Sequence, residues 1–126
     1  FQKKREEYFR NLETGLLERI SEMDNVVVSC GGGTVMRQCN VELMKKNGII
    51  ILLTAEPQTI YERVKDSHNR PLLEENMNPA YIGQLMKERK LRYEAAADIK
   101  IKTDGRTAAE ICEEIKERLK FDVNKN

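Results

Sequence analysis

Val26-Val27-Val28-Ser29-Cys30 runs directly into Gly31-Gly32-Gly33. A continuous β-branched run of that length reads as a buried strand. Three glycines after it mark a turn where backbone approaches something closely or takes positive φ. In a layered α/β sheet such a turn stands at a strand's carboxyl end, the place where ligands bind. The feature therefore constrains both the fold and where its chemistry is sought.

The rest of the chain has the same grammar. Phe9, Leu12, Leu16, Leu17, Ile20 and Met23 recur at spacings of three and four, predicting an amphipathic helix over 6–23. Asn40–Lys46 is a short helix stopped by Asn47-Gly48. Ile49–Leu53 is a second buried strand, followed by a helix with Pro57 in its first turn. Asp66–Asn78 has no periodicity and is read as loop. Pro79 opens a long helix reaching about Ala97. Ile99-Lys100-Ile101-Lys102 alternates like a half-exposed edge strand. Thr107-Ala108-Ala109-Glu110 is a capping box leading a last helix with a stripe at Ile111, Ile115 and Leu119.

Strands alternating with helices predict an α/β fold of three layers, α/β/α, with a mostly parallel sheet. Three strands make a thin sheet. The expectation is that a first βαβ unit of roughly 30 residues is absent from this chain and precedes Phe1.

Composition narrows the function classes. The 126 residues carry 22 basic and 21 acidic side chains, a formal net charge of +1. That balance argues against nucleic-acid binding by bulk charge. No apolar run reaches the roughly 20 residues of a membrane span. Cys30, Cys39 and Cys112 are odd in number and lack CxxC spacing, so they read as small buried hydrophobes in a reducing, cytoplasmic setting.

The residues able to carry chemistry are few. Glycine backbone can bind a carboxylate, hydroxyl or phosphate, yet a glycine run is equally a tight turn with no ligand. Arg10, Arg63, Arg70, Arg89 and Arg106 stand in distinctive settings, although most arginines are simply solvated. His68 sits in the loop with no triad around it. The P-loop pattern GxxxxGK[ST] does not occur in these residues.

Taken together the segments resemble the shikimate kinases. Phe1 with Phe9-Arg10 and Glu13 resembles their F…E-x-F-R-x-x-E segment. Val28-Ser29-Cys30-Gly31-Gly32-Gly33-Thr34-Val35 is similar to their strand and GGG turn. Asn69-Arg70-Pro71-Leu72-Leu73 resembles their R-P-L-L lid. Glu88-Arg89, Tyr93-Glu94 and Ala97-Asp98 resemble E-R-x-x-x-Y-x-x-x-A-D, and Thr103 with Arg106 matches the last turn. The order and spacing hold over nearly the whole chain.

The resemblance implies a P-loop kinase-like domain over 1–126, about the C-terminal three-quarters of the family's domain, with a lid at about 66–78. It implies transfer of the γ-phosphoryl of ATP to the 3-hydroxyl of shikimate, in chorismate and aromatic amino-acid synthesis, with Mg²⁺. Arg10 and Arg89 would grip the shikimate carboxylate, with Glu13 bracing Arg10. Gly31, Gly32 and Gly33 would offer backbone to the ring hydroxyls. Arg70 would descend with the lid as the catalytic arginine on the phosphates. Arg63 and Arg106 would border the adenine, and Ser29 would lie near Mg²⁺ and its waters. The implied partners are shikimate and ATP, with no nucleic acid and no membrane, in a cytoplasmic monomer.

The sequence departs from the family at two places. Its P-loop and early strand-end Asp are not among these residues, so the chain alone is expected not to turn over ATP. Lys90-Leu91-Arg92 stands where the family often has Pro, so assigning the grip to Arg89 rests on its spacing from Tyr93. A binding module for a small acidic metabolite, or a related small-molecule kinase, is the alternative.

Overall fold

The computed structural model describes residues 2–65 and 78–125, and each of its two strands stands between helices along the chain. The order is α1 (Gln2–Ile20), a 3₁₀ turn (Thr34–Met36), α2 (Gln38–Lys46), β1 (Ile51–Thr54), α3 (Pro57–Val64), α4 (Pro79–Ala96), β2 (Ile99–Lys102) and α5 (Ala108–Lys125). The expected lid, with Arg70 and His68, falls outside the described residues. The elements divide into two compact units: Phe1–Ile50 with Arg92–Asp98, and Ile51–Leu91 with Ile99–Asn126.

In the first unit Val41, Ile50 and Ala96 form the core, with Val35 and Met44 packed against it. α1 is a helix as its periodicity predicts, but it buries a different face. Leu17 is buried, whereas Phe9, Leu12 and Leu16 are more than half exposed. Arg10, Glu13, Thr14, Leu17 and Ser21 follow one another at helical spacing, and this mostly polar stripe is the one turned inward. It is inward because its polar atoms have partners there, described below.

Two expectations are overturned. Val26–Cys30 is neither strand nor buried: it has no regular structure, and Val26, Val27 and Val28 are exposed. A strand exists only through a ladder partner, and β-propensity is expressed only where neighbours cover the side chains. Among the described residues nothing pairs with this run, so the sheet has two strands instead of three. The cysteines are likewise exposed, all three of them, rather than core filler. Cys39 and Cys112 lie on outward faces of α2 and α5, while Cys30 belongs to the uncovered run.

The second unit holds the sheet. β1 and β2 pair in parallel, with Ile51 opposite Ile99 and Thr54 opposite Lys102. β2 alternates as predicted: Ile99 and Ile101 are buried and the lysines are exposed. Ile101 is fully buried, a contribution of about 2 kcal/mol. α3 starts at Pro57, whose fixed φ suits a first helical position. Pro57 Cγ would lie 3.4 Å from a Cβ on Gly83 of α4. The turn Asp104-Gly105 requires its glycine, which has φ of 64°. α5 then begins with the predicted capping box closed in both directions. Thr107 N–H donates to Glu110 Oε1 at 2.8 Å, and Glu110 N–H donates to Thr107 Oγ1 at 3.1 Å.

Candidate functional site

Arg10 stands half-buried in the middle of α1, and both neighbouring turns of the helix hold it. Its Nε donates to Glu6 Oε1 at 3.0 Å and its Nη1 to Glu13 Oε1 at 2.9 Å. These are the i−4 and i+3 neighbours on one helix face. The guanidinium carbon also lies 5.1 Å from the centroid of the Phe9 ring. Burial alone would lower the Arg10 guanidinium. The hydrogen bonds and charges of Glu13 and Glu6 outweigh it and hold the group above its ordinary range. Arg10 is thus a permanent cation aimed by two carboxylates, the state a grip on a ligand carboxylate needs.

The glycine turn lies against it. A Cβ added to Gly33 would fall 2.8 Å from Arg10 Cζ, closer than atoms of this kind approach. Gly33 and Thr34 are buried, whereas Gly31 and Gly32 are exposed. Gly31 accepts the Thr34 N–H at its carbonyl at 3.2 Å, and Gly33 accepts that of Met36 at 3.1 Å. The Gly32 carbonyl takes the Tyr93 hydroxyl at 2.7 Å. The predicted acceptor residues Arg10, Glu13, Gly31, Gly32 and Gly33 are therefore gathered within one unit.

Ser29 and Cys30 precede the turn and are exposed. Although the residue as a whole is exposed, partial burial of the side chain, then the charge of Glu13, push the Cys30 thiol up. Among the described residues no three His, Cys, Asp or Glu side chains are grouped to hold a metal ion. Ser29 offers one hydroxyl, a single donor that would suit the waters of a Mg²⁺ ion and would not cage the ion itself.

The predicted nucleotide arginines belong to the second unit and converge on the carboxyl end of β2. Arg63 donates from Nη1 to Thr103 Oγ1 at 2.9 Å and from Nη2 to the Thr103 carbonyl at 2.8 Å. Arg106 donates to the Lys102 carbonyl at 2.7 Å and pairs with Glu114. Two planar guanidiniums are thereby fixed at a strand end, in the position α/β sheets use for ligands. Asp104 lies in the same turn. The Thr59 hydroxyl and the Glu56 N–H hold its carboxyl below the usual carboxylate range.

Arg89 lies half-buried on α4 in the second unit. Arg92, three residues on, belongs to the first unit. It lines a shallow groove of about 440 Å³ with Val35, Val41, Lys45 and Ala96, a place none of the predicted acceptor residues reaches.

Sequence reasoning gave no role to several residues that hold these sites. Thr34 donates its hydroxyl to Glu13 Oε2 at 2.7 Å, and Asn40 is fully buried beneath it. Thr103 anchors Arg63, and Tyr93 anchors the glycine turn. The available signal was a polar residue at a core spacing, Asn40 beside Val41 and Met44, which cannot stay buried unpaired.

Comparison with known proteins accords with this geometry. The shikimate kinase family model matches residues 1–120. A shikimate kinase of Dehalococcoides mccartyi is 37% identical over 120 residues, which are 95% of this chain and 68% of that protein. One from Persephonella marina is 41% identical over 120 residues, covering 71% of its length. The solved structure of shikimate kinase from Acinetobacter baumannii in complex with shikimate superposes with a TM-score of 0.85 at 27% identity. It covers 97% of this chain and 68% of that one. The enzyme from Bacteroides thetaiotaomicron superposes at 0.77 with 26% identity, over 98% of this chain and 72% of that one. The small parallel sheet with its flanking helices is accordingly a P-loop kinase-like α/β fold. The chain belongs to the shikimate kinase family of ATP-dependent phosphotransferases.

Proposed function

We propose that this chain supplies the acceptor-binding part of a shikimate kinase, whose reaction moves the γ-phosphoryl of ATP to the 3-hydroxyl of shikimate. The family's enzymes use ATP with Mg²⁺. The observation that carries the reading is the Arg10 guanidinium, held by Glu13 and Glu6 directly over Gly33. A fixed cation beside a glycine turn whose Gly31 and Gly32 are exposed suits a small polyhydroxylated carboxylate, whose charge and hydroxyls both need partners.

In this reading Arg10 and Arg89 share the shikimate carboxylate, Glu13 holds Arg10, and Gly31, Gly32 and Gly33 face the ring hydroxyls. Arg63 and Arg106 flank the adenine, and Ser29 neighbours the Mg²⁺ waters. Arg70, which lies outside the described residues, neutralises transferring charge. Phosphoryl transfer asks for such positioning and charge more than for covalent chemistry. The domain works as a monomer in the cytoplasm. No described helix is long and apolar enough to cross a membrane.

The test is calorimetric titration of shikimate into the 126-residue chain. Binding is expected, weakened at least about tenfold by Arg10→Ala. Equal affinity of wild type and Arg10→Ala sinks the reading. ADP formation by the chain with ATP and shikimate is expected to be absent, because GxxxxGK[ST] is not among its residues.

A further inference from the structure

We infer that Thr34 and Asn40 are positioning residues for Arg10, acting through Glu13. The inference rests on the reading of Arg10 as the carboxylate grip and extends it to two buried residues.

The hydrogen bonds form a closed ring. Glu13 accepts Arg10 Nη1 on Oε1 and the Thr34 hydroxyl on Oε2, at 2.9 and 2.7 Å. The carbonyl of Thr34 accepts Asn40 Nδ2 at 2.9 Å. Asn40 Oδ1 accepts the Thr14 hydroxyl at 2.7 Å, and Thr14 lies one residue past Glu13 on α1. Arg37 closes the outer side, donating to Thr14 Oγ1 at 3.3 Å and to Asn11 Oδ1 at 3.0 Å. Thr34 is 2% exposed and Asn40 0%.

Stability alone does not require this ring. Matched apolar residues at buried positions serve about as well as a hydrogen-bonded pair. What the ring adds is direction. With both carboxylate oxygens engaged, Glu13 has one orientation, and the guanidinium it holds has one as well. Asn40 pins the Thr34 backbone, so the hydroxyl that orients Glu13 is itself fixed. A satisfied buried network of this kind is rigid, and one missing member frees the rest.

Two readouts on the full 126-residue chain test it. The first is solvent exchange of the Arg10 Nη–H protons, which Glu13 holds, by ¹⁵N NMR without ligand, and the second is the shikimate Kd. Thr34→Val keeps the shape and removes the hydroxyl. It is expected to speed Arg10 exchange and weaken shikimate by about tenfold each. Thr34→Ser restores both. Asn40→Asp sets a carboxylate oxygen against the Thr34 carbonyl and behaves as Thr34→Val does. Should Thr34→Val not fold, Thr14→Val cuts the ring on its half-buried side and is expected to shift both readouts in the same direction. Unchanged Arg10 exchange in folded Thr34→Val, or in Thr14→Val where that variant replaces it, overturns the inference. If wild type binds no shikimate yet Thr34→Val still frees Arg10, the acceptor reading fails and the positioning role stands.

Discussion

The guanidinium of Arg10 occupies the space where a side chain on Gly33 would begin, with Nη1 2.9 Å and Cζ 2.8 Å from that point. The backbone of Gly33 is unremarkable, with φ −93° and ψ −2°, values any residue adopts. Glycine is therefore required here for space and not for conformation. The crowding group is the end of a flexible side chain, so a methyl at 33 displaces Arg10 and leaves the backbone in place.

Gly33→Ala is accordingly expected to weaken shikimate about tenfold without lowering the unfolding midpoint. In an Arg10→Ala background the obstruction is gone. The same substitution should then stabilise by about 0.4–1 kcal/mol, through the stiffer unfolded chain. Urea titration of the four proteins measures the cycle. Equal destabilisation by Gly33→Ala in both backgrounds would mean that Arg10 is not what the glycine makes room for.

Asp98 offers a second case of two groups fixed by one side chain. Its Oδ2 accepts the Ile50 N–H at 2.7 Å, its Oδ1 takes Lys45 Nζ at 3.2 Å, and its own N–H donates to the Ile50 carbonyl at 2.8 Å. Ile50 is buried, so Asp98→Ala leaves a buried N–H without a partner and is expected to cost about 1–3 kcal/mol. Lys45→Ala breaks only a half-exposed ion pair and should cost under about 1 kcal/mol. Chemical denaturation ranks the two, and a Lys45 effect equal to that of Asp98 would assign the stability to charge.

Local signals were the most readable part of the sequence. The Pro57 start and the Thr107–Glu110 box depend only on residues close by in the chain, and each is found; the Ile99–Lys102 alternation is found as well, because β1 pairs with it. Val26–Cys30 was misread because its composition describes what a strand likes, while strand formation depends on a neighbour elsewhere in the chain. The stripe of α1 was misread for a related reason. Hydrophobic spacing names the face that wants burial, but Glu13 and Thr14 find their partners in Thr34 and Asn40, more than twenty residues away. Arg10, Glu13 and the glycines were identified through resemblance. Thr34 and Asn40 were not, because a buried hydroxyl or amide has no sequence pattern apart from its partner.

Cys30 provides a chemical probe of the same corner. Burial, then the charge of Glu13, raise its thiol above the ordinary 9.0. The thiolate is the reactive form, so Cys30 should be alkylated by iodoacetamide at pH 8 more slowly than in the unfolded chain. Glu13→Gln removes the charge and should speed the reaction, shifting its pH profile downward. Peptide mass spectrometry across pH 7–10 follows the residue, and an unchanged profile in Glu13→Gln would exclude Glu13 as a cause.

The capping box predicts how α5 responds to acid. Glu110 accepts the Thr107 N–H and pairs with its hydroxyl, and these bonds hold its carboxyl below the ordinary 4.5. The folded state therefore binds this proton less readily than the unfolded chain does. The stabilisation is fully present above the unfolded value and is lost as pH falls through the lower folded one. Glutamine can fill the same box without titrating. Glu110→Gln should keep a near-normal Tm at pH 7 and lose less of it than wild type between pH 5 and pH 3. Thr107→Ala should lower Tm by a few degrees at pH 7, because it removes the cap itself. If wild type and Glu110→Gln lose Tm in parallel on acidification, the acid response arises from other carboxylates and Glu110 acts only as a neutral cap.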